Sequence, residues 1–195
     1  MSSKQQIRRT IREKRRALSD DDRFEAGQQV LQNLCNYPSY NASHRVAVYL
    51  ANDGEIPLDV VIQHIWLRKR CCFLPVLFRL GGLRMHFAPF TNRSRFVDNQ
   101  YNIPEPDISV KRQLKAVQLD LVLMPLVAFD VKGNRLGMGG GYYDRSFEFL
   151  RKRKHWKKPK LIGVAYDFQE VNAIPADPWD VPLDAIVTES RLIKF

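Results

Sequence analysis

The densest chemistry in the sequence lies between Arg135 and Arg145, Arg-Leu-Gly-Met-Gly-Gly-Gly-Tyr-Tyr-Asp-Arg, which holds Gly137, Gly139, Gly140 and Gly141. Glycine permits backbone angles closed to other residues and removes side chains that would hold a ligand off. The apolar run at residues 119–129 reads in its first part as a buried strand. Residues 142–150 have helical spacing, with Phe147 and Leu150 three apart. Strand, glycine loop and helix in that order make a phosphate site, because the first amides of a helix lack partners and the dipole is positive there. Arg135 and Arg145 bracket the loop as charge-assisted donors. Asp144 adds an oxygen of the kind Mg²⁺ takes beside a nucleotide. The loop is not a P-loop, since no Lys-Ser or Lys-Thr follows, nor the dinucleotide fingerprint, since Tyr142 stands where the third glycine belongs. The alternative is a glycine-rich turn that binds nothing.

Three other groups place charge where a ligand would use it. Lys4, Arg8 and Arg12 recur every fourth residue within residues 3–18, which read as a helix with Ile7, Ile11 and Leu18 on another face. That stripe is a solvated face, a reach toward a phosphate chain, or a nucleic-acid face, and no recognition motif or interleaved aromatic marks the last. Glu55 lies in a turn, Asn52-Asp53-Gly54-Glu55-Ile56-Pro57, just past an apolar strand at residues 45–51. Carboxylates crowd the loop Asp177-Pro178-Trp179-Asp180-Val181-Pro182-Leu183-Asp184.

The elements that must position these groups follow from periodicity. Ser19 caps a second helix with Asp20, Asp21 and Asp22 in its first turn and Phe24, Val30, Leu31 and Leu34 on its apolar side. The strand at 45–51, a helix at 58–69 and a strand at 71–76 form a βαβ unit, hence a parallel sheet, and ligands in such sheets bind beyond the carboxyl ends of strands. Residues 83–90, with Leu83, Met85 and Phe87 alternating, read as an antiparallel addition. Residues 91–114 read as irregular, because Pro104 and Pro106 exclude a helix or central strand. Residues 151–160 form a basic connector, 161–166 a strand, and 185–188 with 191–195 a hairpin.

The chain has 195 residues and suits one domain spanning 1–195. No apolar run reaches a membrane span, and Met1-Ser2-Ser3-Lys4-Gln5-Gln6 lacks the apolar core of a signal peptide. Cys35, Cys71 and Cys72 offer neither a disulfide framework nor zinc spacing, so the reducing cytoplasm is the expected setting. The net charge of +10 calls for anionic partners without naming them.

Lys4 to Arg8, the Gly54-Glu55-Ile56 turn, Ile103-Pro104-Glu105-Pro106 and the stretch from Arg135 to Arg145 occur in the order that marks one family. On these motifs the chain resembles the 5-formyltetrahydrofolate cyclo-ligases, or methenyltetrahydrofolate synthetases, over nearly its whole length. The resemblance implies a three-layer α/β/α domain with a mostly parallel central sheet and a small antiparallel addition, like sugar-phosphate isomerases and CoA-transferases. It implies ATP- and Mg²⁺-dependent conversion of 5-formyltetrahydrofolate to 5,10-methenyltetrahydrofolate, with phosphorylation of the formyl oxygen, ring closure and release of ADP and phosphate. It assigns Lys4, Gln5, Gln6, Ile7 and Arg8 to ATP, together with Arg135, Leu136, Gly137, Met138, Gly139, Gly140, Gly141, Tyr142 and Tyr143. Lys4 and Arg145 would act on the transferring phosphoryl group. Leu50, Glu55, Met138, Gly139, Gly140, Gly141 and Tyr142 would hold the folate. Asp144 would hold Mg²⁺ with Asp180, for which Asp177 and Asp184 compete. The expected partners are ATP, 5-formyltetrahydrofolate and its polyglutamates, with no nucleic acid, no membrane and a monomeric chain. The rivals are an isomerase-like enzyme on the same fold, which needs no ATP, and a basic nucleic-acid-binding module.

Overall fold

Several short apolar segments send buried side chains alternately to two faces, the behaviour of strands covered on both sides. Val46 and Val48 go one way and Ala47 the other; Leu121 and Leu123 oppose Val122 and Met124; Ile162 and Val164 oppose Leu161. The computed structural model describes residues 3–78, 84–100, 103–153 and 158–195. In chain order the elements are α1 (Lys4–Ala17), α2 (Asp20–Cys35), α3 (Pro38–Asn41), β1 (Arg45–Ala47), α4 (Asp59–Leu67), β2 (Cys71–Leu77), β3 (Met85–Phe90), β4 (Phe96–Asp98), β5 (Pro104–Pro106), β6 (Leu114–Lys115), β7 (Leu121–Pro125), β8 (Ala128–Phe129), β9 (Arg135–Leu136), α5 (Tyr142–Phe147), α6 (Phe149–Lys152), β10 (Lys160–Val164), β11 (Ala185–Val187) and β12 (Leu192–Lys194).

The main sheet runs β12-β11-β10-β7-β1-β2-β3-β6. Its five inner strands are parallel, and β12, β3 and β6 are antiparallel additions at the edges. One face packs against α2 and α4 through Val30, Leu34, Val61 and Ile65. The other packs against α5 through Phe147, together with Phe87 and Phe129. A third, smaller cluster joins Ile7 and Ile11 of α1 to Val127, Ala128, Leu136 and Ile174. The expected three layers, mostly parallel sheet and antiparallel addition are all present. Cys71 is exposed and Cys72 buried, as opposite faces of one strand require.

The local reading needs four corrections. Phe24 is 53% exposed, because the buried stripe of α2 is Ala26, Val30 and Leu34 at spacing four, and Phe24 lies off it. Residues 91–114 are not wholly irregular: β4 and β5 pair as an antiparallel ribbon, where the edge position tolerates Pro104 and Pro106. The strand β7 does not run straight into the glycines, since the hairpin of β8 and β9 intervenes. The helix after the glycines is only six residues long. Ser146 donates its hydroxyl to Tyr142 O (2.7 Å) and accepts from Met85 N (2.9 Å), a back-bond that competes with helix propagation and ties α5 to β3. The expectations for Leu83, for Tyr101 and Asn102, and for residues 154–157 of the basic connector lie outside the described residues.

Candidate active site

From β1 the chain crosses to β2 on one side, and later to β7, β10 and β11 on the other. Strand order therefore reverses between β1 and β7, the place where open parallel sheets gather ligands. A cavity of about 1010 Å³ lies there, lined by Tyr49 and Leu50 beyond β1 and by Pro125 and Leu126 at the end of β7. Among ligand cavities this is large enough for more than one small molecule.

The glycine loop forms one wall. Gly137, Met138, Gly139 and Gly140 are exposed, and Gly139 (φ 102°) and Gly141 (φ 67°) take left-handed angles that side chains resist. Among the described residues no acceptor takes the N–H groups of residues 137–141, whereas three of the loop's carbonyls are held, that of Gly141 by Arg145 N at 3.1 Å. Arg8 Nε donates to Gly137 O at 2.8 Å and Arg145 Nη1 to Gly140 O at 3.1 Å. The loop thus turns carbonyls toward cations and leaves its amides for an anion. With α5 so short, those amides and cations matter more than a helix dipole.

The first helix brings Lys4 and Arg8 to the same wall, one turn apart, while Ile7 and Ile11 dock on the β8–β9 hairpin. Lys4 Nζ rests on Asp177 at 2.8 Å, a pair with side chains 32% and 42% exposed. Gln5 and Gln6 are exposed and Ile7 is buried; none of the three lines the cavity. The helical period explains this, since positions next to Lys4 turn away from the face that Lys4 and Arg8 share.

Opposite chemistry occupies the turn after β1. Glu55 lines the cavity with its side chain mostly covered, and burial pushes its carboxyl up to about 7. Asn52 N donates to its Oε2 at 3.1 Å. Arg15 lies behind, with its Nη1 at 3.7 Å from Glu55 Oε1. Asp53 receives Arg12, Arg15 and Arg16 at 2.6, 2.9 and 2.5 Å. Burial raises the phenol of Tyr143, with the Glu55 charge adding to it; its ring stacks on Phe147, and both Tyr143 and Glu55 line the cavity.

The candidate metal carboxylates divide. Asp144 Oδ1 accepts from Arg135 Nη2 (2.5 Å) and Val181 N (3.1 Å), and Asp180 Oδ2 accepts from Asp177 N (2.8 Å). Both line the cavity, and among the described residues Asp144 Oδ2 and Asp180 Oδ1 make no hydrogen bond. Asp184 does not line it: it binds Lys160 Nζ (2.7 Å) and Leu161 N (2.9 Å) and anchors β10. Among the described residues no group of three or more His, Cys, Asp or Glu is poised around a metal. Arg135 also differs from expectation. It lines the cavity, but its guanidinium is committed to Val181 O and Asp144, so it braces the carboxylate rather than offering itself to phosphate.

The cavity thus gathers Lys4, Arg8, Leu50, Glu55, residues 135–145 and Asp180. The sequence marks the segments of Glu105 and of the 62%-exposed Trp179 without singling out either residue, and Tyr49 in the lining and Arg15 behind Glu55 were missed. Glu105 had a signal in the Pro-Glu-Pro run. It accepts from Leu77 N (2.9 Å) and Asn99 Nδ2 (2.8 Å), fixing the β4–β5 ribbon to the end of β2. Arg15 had one too. It continues Ile7 and Ile11 at spacing four, onto the buried face.

The model of the 5-formyltetrahydrofolate cyclo-ligase family matches residues 1–189. The 5-formyltetrahydrofolate cyclo-ligase of Escherichia coli K12 is 39% identical over 95% of this chain and 100% of its own. That of Haemophilus influenzae is 37% identical over 92% and 94%. Among solved structures, the 5,10-methenyltetrahydrofolate synthetase of Aquifex aeolicus superposes with a TM-score of 0.79 at 31% identity, covering 98% of this chain and 92% of its own. The synthetase of Mycoplasma pneumoniae gives 0.73 at 26%, covering 96% and 99%.

Proposed function

The chain belongs to the 5-formyltetrahydrofolate cyclo-ligase family, and on that premise we propose that it closes 5-formyltetrahydrofolate to 5,10-methenyltetrahydrofolate using ATP and Mg²⁺, releasing ADP and phosphate. One observation carries this reading: a single cavity joins unbonded glycine amides and the cations Lys4, Arg8 and Arg145 to a largely covered carboxylate, Glu55. The first set suits a triphosphate, the second the N–H edge of a pterin.

The formyl group is amide-like, so its oxygen leaves only after activation. Transfer of the terminal phosphoryl group to that oxygen makes a phosphate leaving group. Nitrogen 10 of the folate then attacks the formyl carbon, loses its proton, and phosphate departs with the oxygen. Such transfer needs alignment and charge neutralisation rather than a protein nucleophile. Lys4, Arg8 and Arg145 neutralise the phosphate oxygens, and the amides of residues 137–141 align them. Lys4 gives up little on leaving Asp177, because exposed ion pairs are weak. Glu55 accepts from the pterin and fixes the formyl group against the loop, with Leu50, Met138 and Tyr142 as apolar walls.

Mg²⁺ takes one or two carboxylates and completes its shell with phosphate and water, which fits the uncommitted oxygens of Asp144 and Asp180. There it would offset charge on the phosphates. Arg151, an exposed residue of α6 at the cavity lining, supports capture of a polyglutamate tail. The nucleic-acid alternative is poorly supported, since Arg12, Arg15 and Arg16 turn to Asp53 rather than forming an open basic face.

The test follows near-ultraviolet absorbance of the methenyl product. Product should form with 5-formyltetrahydrofolate, ATP and Mg²⁺ together, and stop when ATP is left out or the metal is chelated. Product without nucleotide, or none with any folate, overturns the reading.

A further inference from the structure

We propose that Arg15 is the positioning residue for Glu55, holding its carboxylate in place at the cavity wall and linking it to the helix that carries Lys4 and Arg8. The proposal rests on the reading of Glu55 as the folate carboxylate. Arg15 is 1% exposed, among the deepest large side chains in the protein. Its guanidinium reaches two segments besides its own helix, the turn after β1 and the end of β7. Nη2 donates to Asp53 Oδ2 at 2.9 Å, Nη1 donates to Leu126 O at 3.3 Å, and Nη1 lies 3.7 Å from Glu55 Oε1. Asp53, Glu55 and Leu126 all line the cavity.

Simple structural duty explains this poorly. Arg15 Nε is buried with no hydrogen-bond partner among the described residues, and an apolar side chain in such a place is often as stable as a buried ion pair. Asp53 does not depend on Arg15, since Arg12 and Arg16 also hold it. What Arg15 alone supplies, among the described residues, is an ion pair with Glu55. The other groups facing Glu55 are the Asn52 amide, Asp53 on its own turn, and the phenols of Tyr49 from beyond β1 and Tyr143 from α5. None is a cation, and Asp53 repels it. A cation within about 4–6 Å favours the ionised carboxyl, the form that accepts N–H donors.

The experiment measures kcat and KM for both substrates across pH in the full-length enzyme, comparing Arg15→Met, Arg15→Lys and Glu55→Gln. With Arg15→Met, KM for 5-formyltetrahydrofolate should rise about tenfold near neutrality and the acidic limb of kcat/KM should move up by about one pH unit or more. KM for ATP should change less than about threefold, because Lys4 and Arg8 stay docked through Ile7 and Ile11. Arg15→Lys should restore the limb. An unshifted limb, or an equal rise in both KM values, overturns the proposal. If Glu55→Gln leaves folate use intact, the reading of Glu55 falls as well; if Glu55→Gln weakens it while Arg15→Met does not, only the role of Arg15 falls. Should the methionine variant not fold, Arg15→Gln, which keeps a polar donor without the charge, reads the same limb.

Discussion

Replacing Glu55 by glutamine should give a protein that is more stable and an enzyme that is worse. Burial pushes the Glu55 carboxyl from the ordinary 4.5 to about 7, against smaller pulls from the Asn52 amide and Arg15. Between those values the folded protein keeps a proton that the unfolded chain releases. Stability therefore falls as pH rises from about 4.5 to about 7 and is level above. At about 1.4 kcal/mol for each pH unit, the interval 7 − 4.5 corresponds to about 3 kcal/mol lost in the ionised state. Glutamine keeps the shape and never ionises. Near pH 4 the two proteins should have almost equal stability, and near pH 8 the variant should be ahead by about 3 kcal/mol. Denaturant unfolding of both proteins at the two pH values measures the difference directly, and KM for 5-formyltetrahydrofolate, expected to rise about tenfold or more, measures what the charge is for. A variant with no stability gain at the higher pH would refute the argument from burial.

Arg145→Ala and Lys4→Ala should each raise KM for ATP about tenfold or more with unchanged unfolding midpoints, since each removes one exposed charge-assisted donor; normal ATP saturation in both would remove them from the phosphate site. Gly141→Ala places a Cβ 2.7 Å from Arg145 Nη1 at a left-handed φ, so about 1–2 kcal/mol of stability should go and ATP affinity should drop with it, read by denaturant melts and ATP titration. Asp53→Asn weakens the tie to Arg12, Arg15 and Arg16 and should cost about 2–3 kcal/mol near neutrality. Burial raises the Asp53 carboxyl but the arginines bring it below 3.8 overall, so its contribution is present above that value and fades as pH falls past it; the variant's deficit should shrink in acid unfolding curves.

The parts of this molecule that could be read from the chain are those where neighbours in sequence are neighbours in space. Val46 to Val48 and residues 121–124 show their two-sided burial through residue type alone, and glycines at positions 139 and 141 announce a loop with angles other residues avoid. The hairpin of β8 and β9 was not legible, because two residues per strand leave no period to detect. Its Asp130 does the local work. Its Oδ1 accepts from Lys132 N and Asn134 N, and its Oδ2 from Asn134 Nδ2 and Ile174 N. Arg15 was missed for another reason: its spacing from Ile7 and Ile11 marks the buried face, but a cation on a basic helix reads as solvated until Asp53, 38 residues on, is known to lie against it. Gln5 and Gln6 went the other way, carried into the site by contiguity although the helix turns them outward.

The attachments of α1 have one further consequence. Five of its cations end on segments that line the cavity: Lys4 on that of Asp177, Arg8 on that of Gly137, and Arg12, Arg15 and Arg16 on that of Asp53. Its apolar footing, meanwhile, is the smallest of the three clusters and uses none of the central strands. The helix behaves as the keystone of an arch whose piers stand without it: a chain shortened past Ala17 should still assemble its sheet, yet three loops would lose their common alignment at a stroke, and a tag or fusion that strains the amino terminus would be felt first in ligand capture and last in melting temperature.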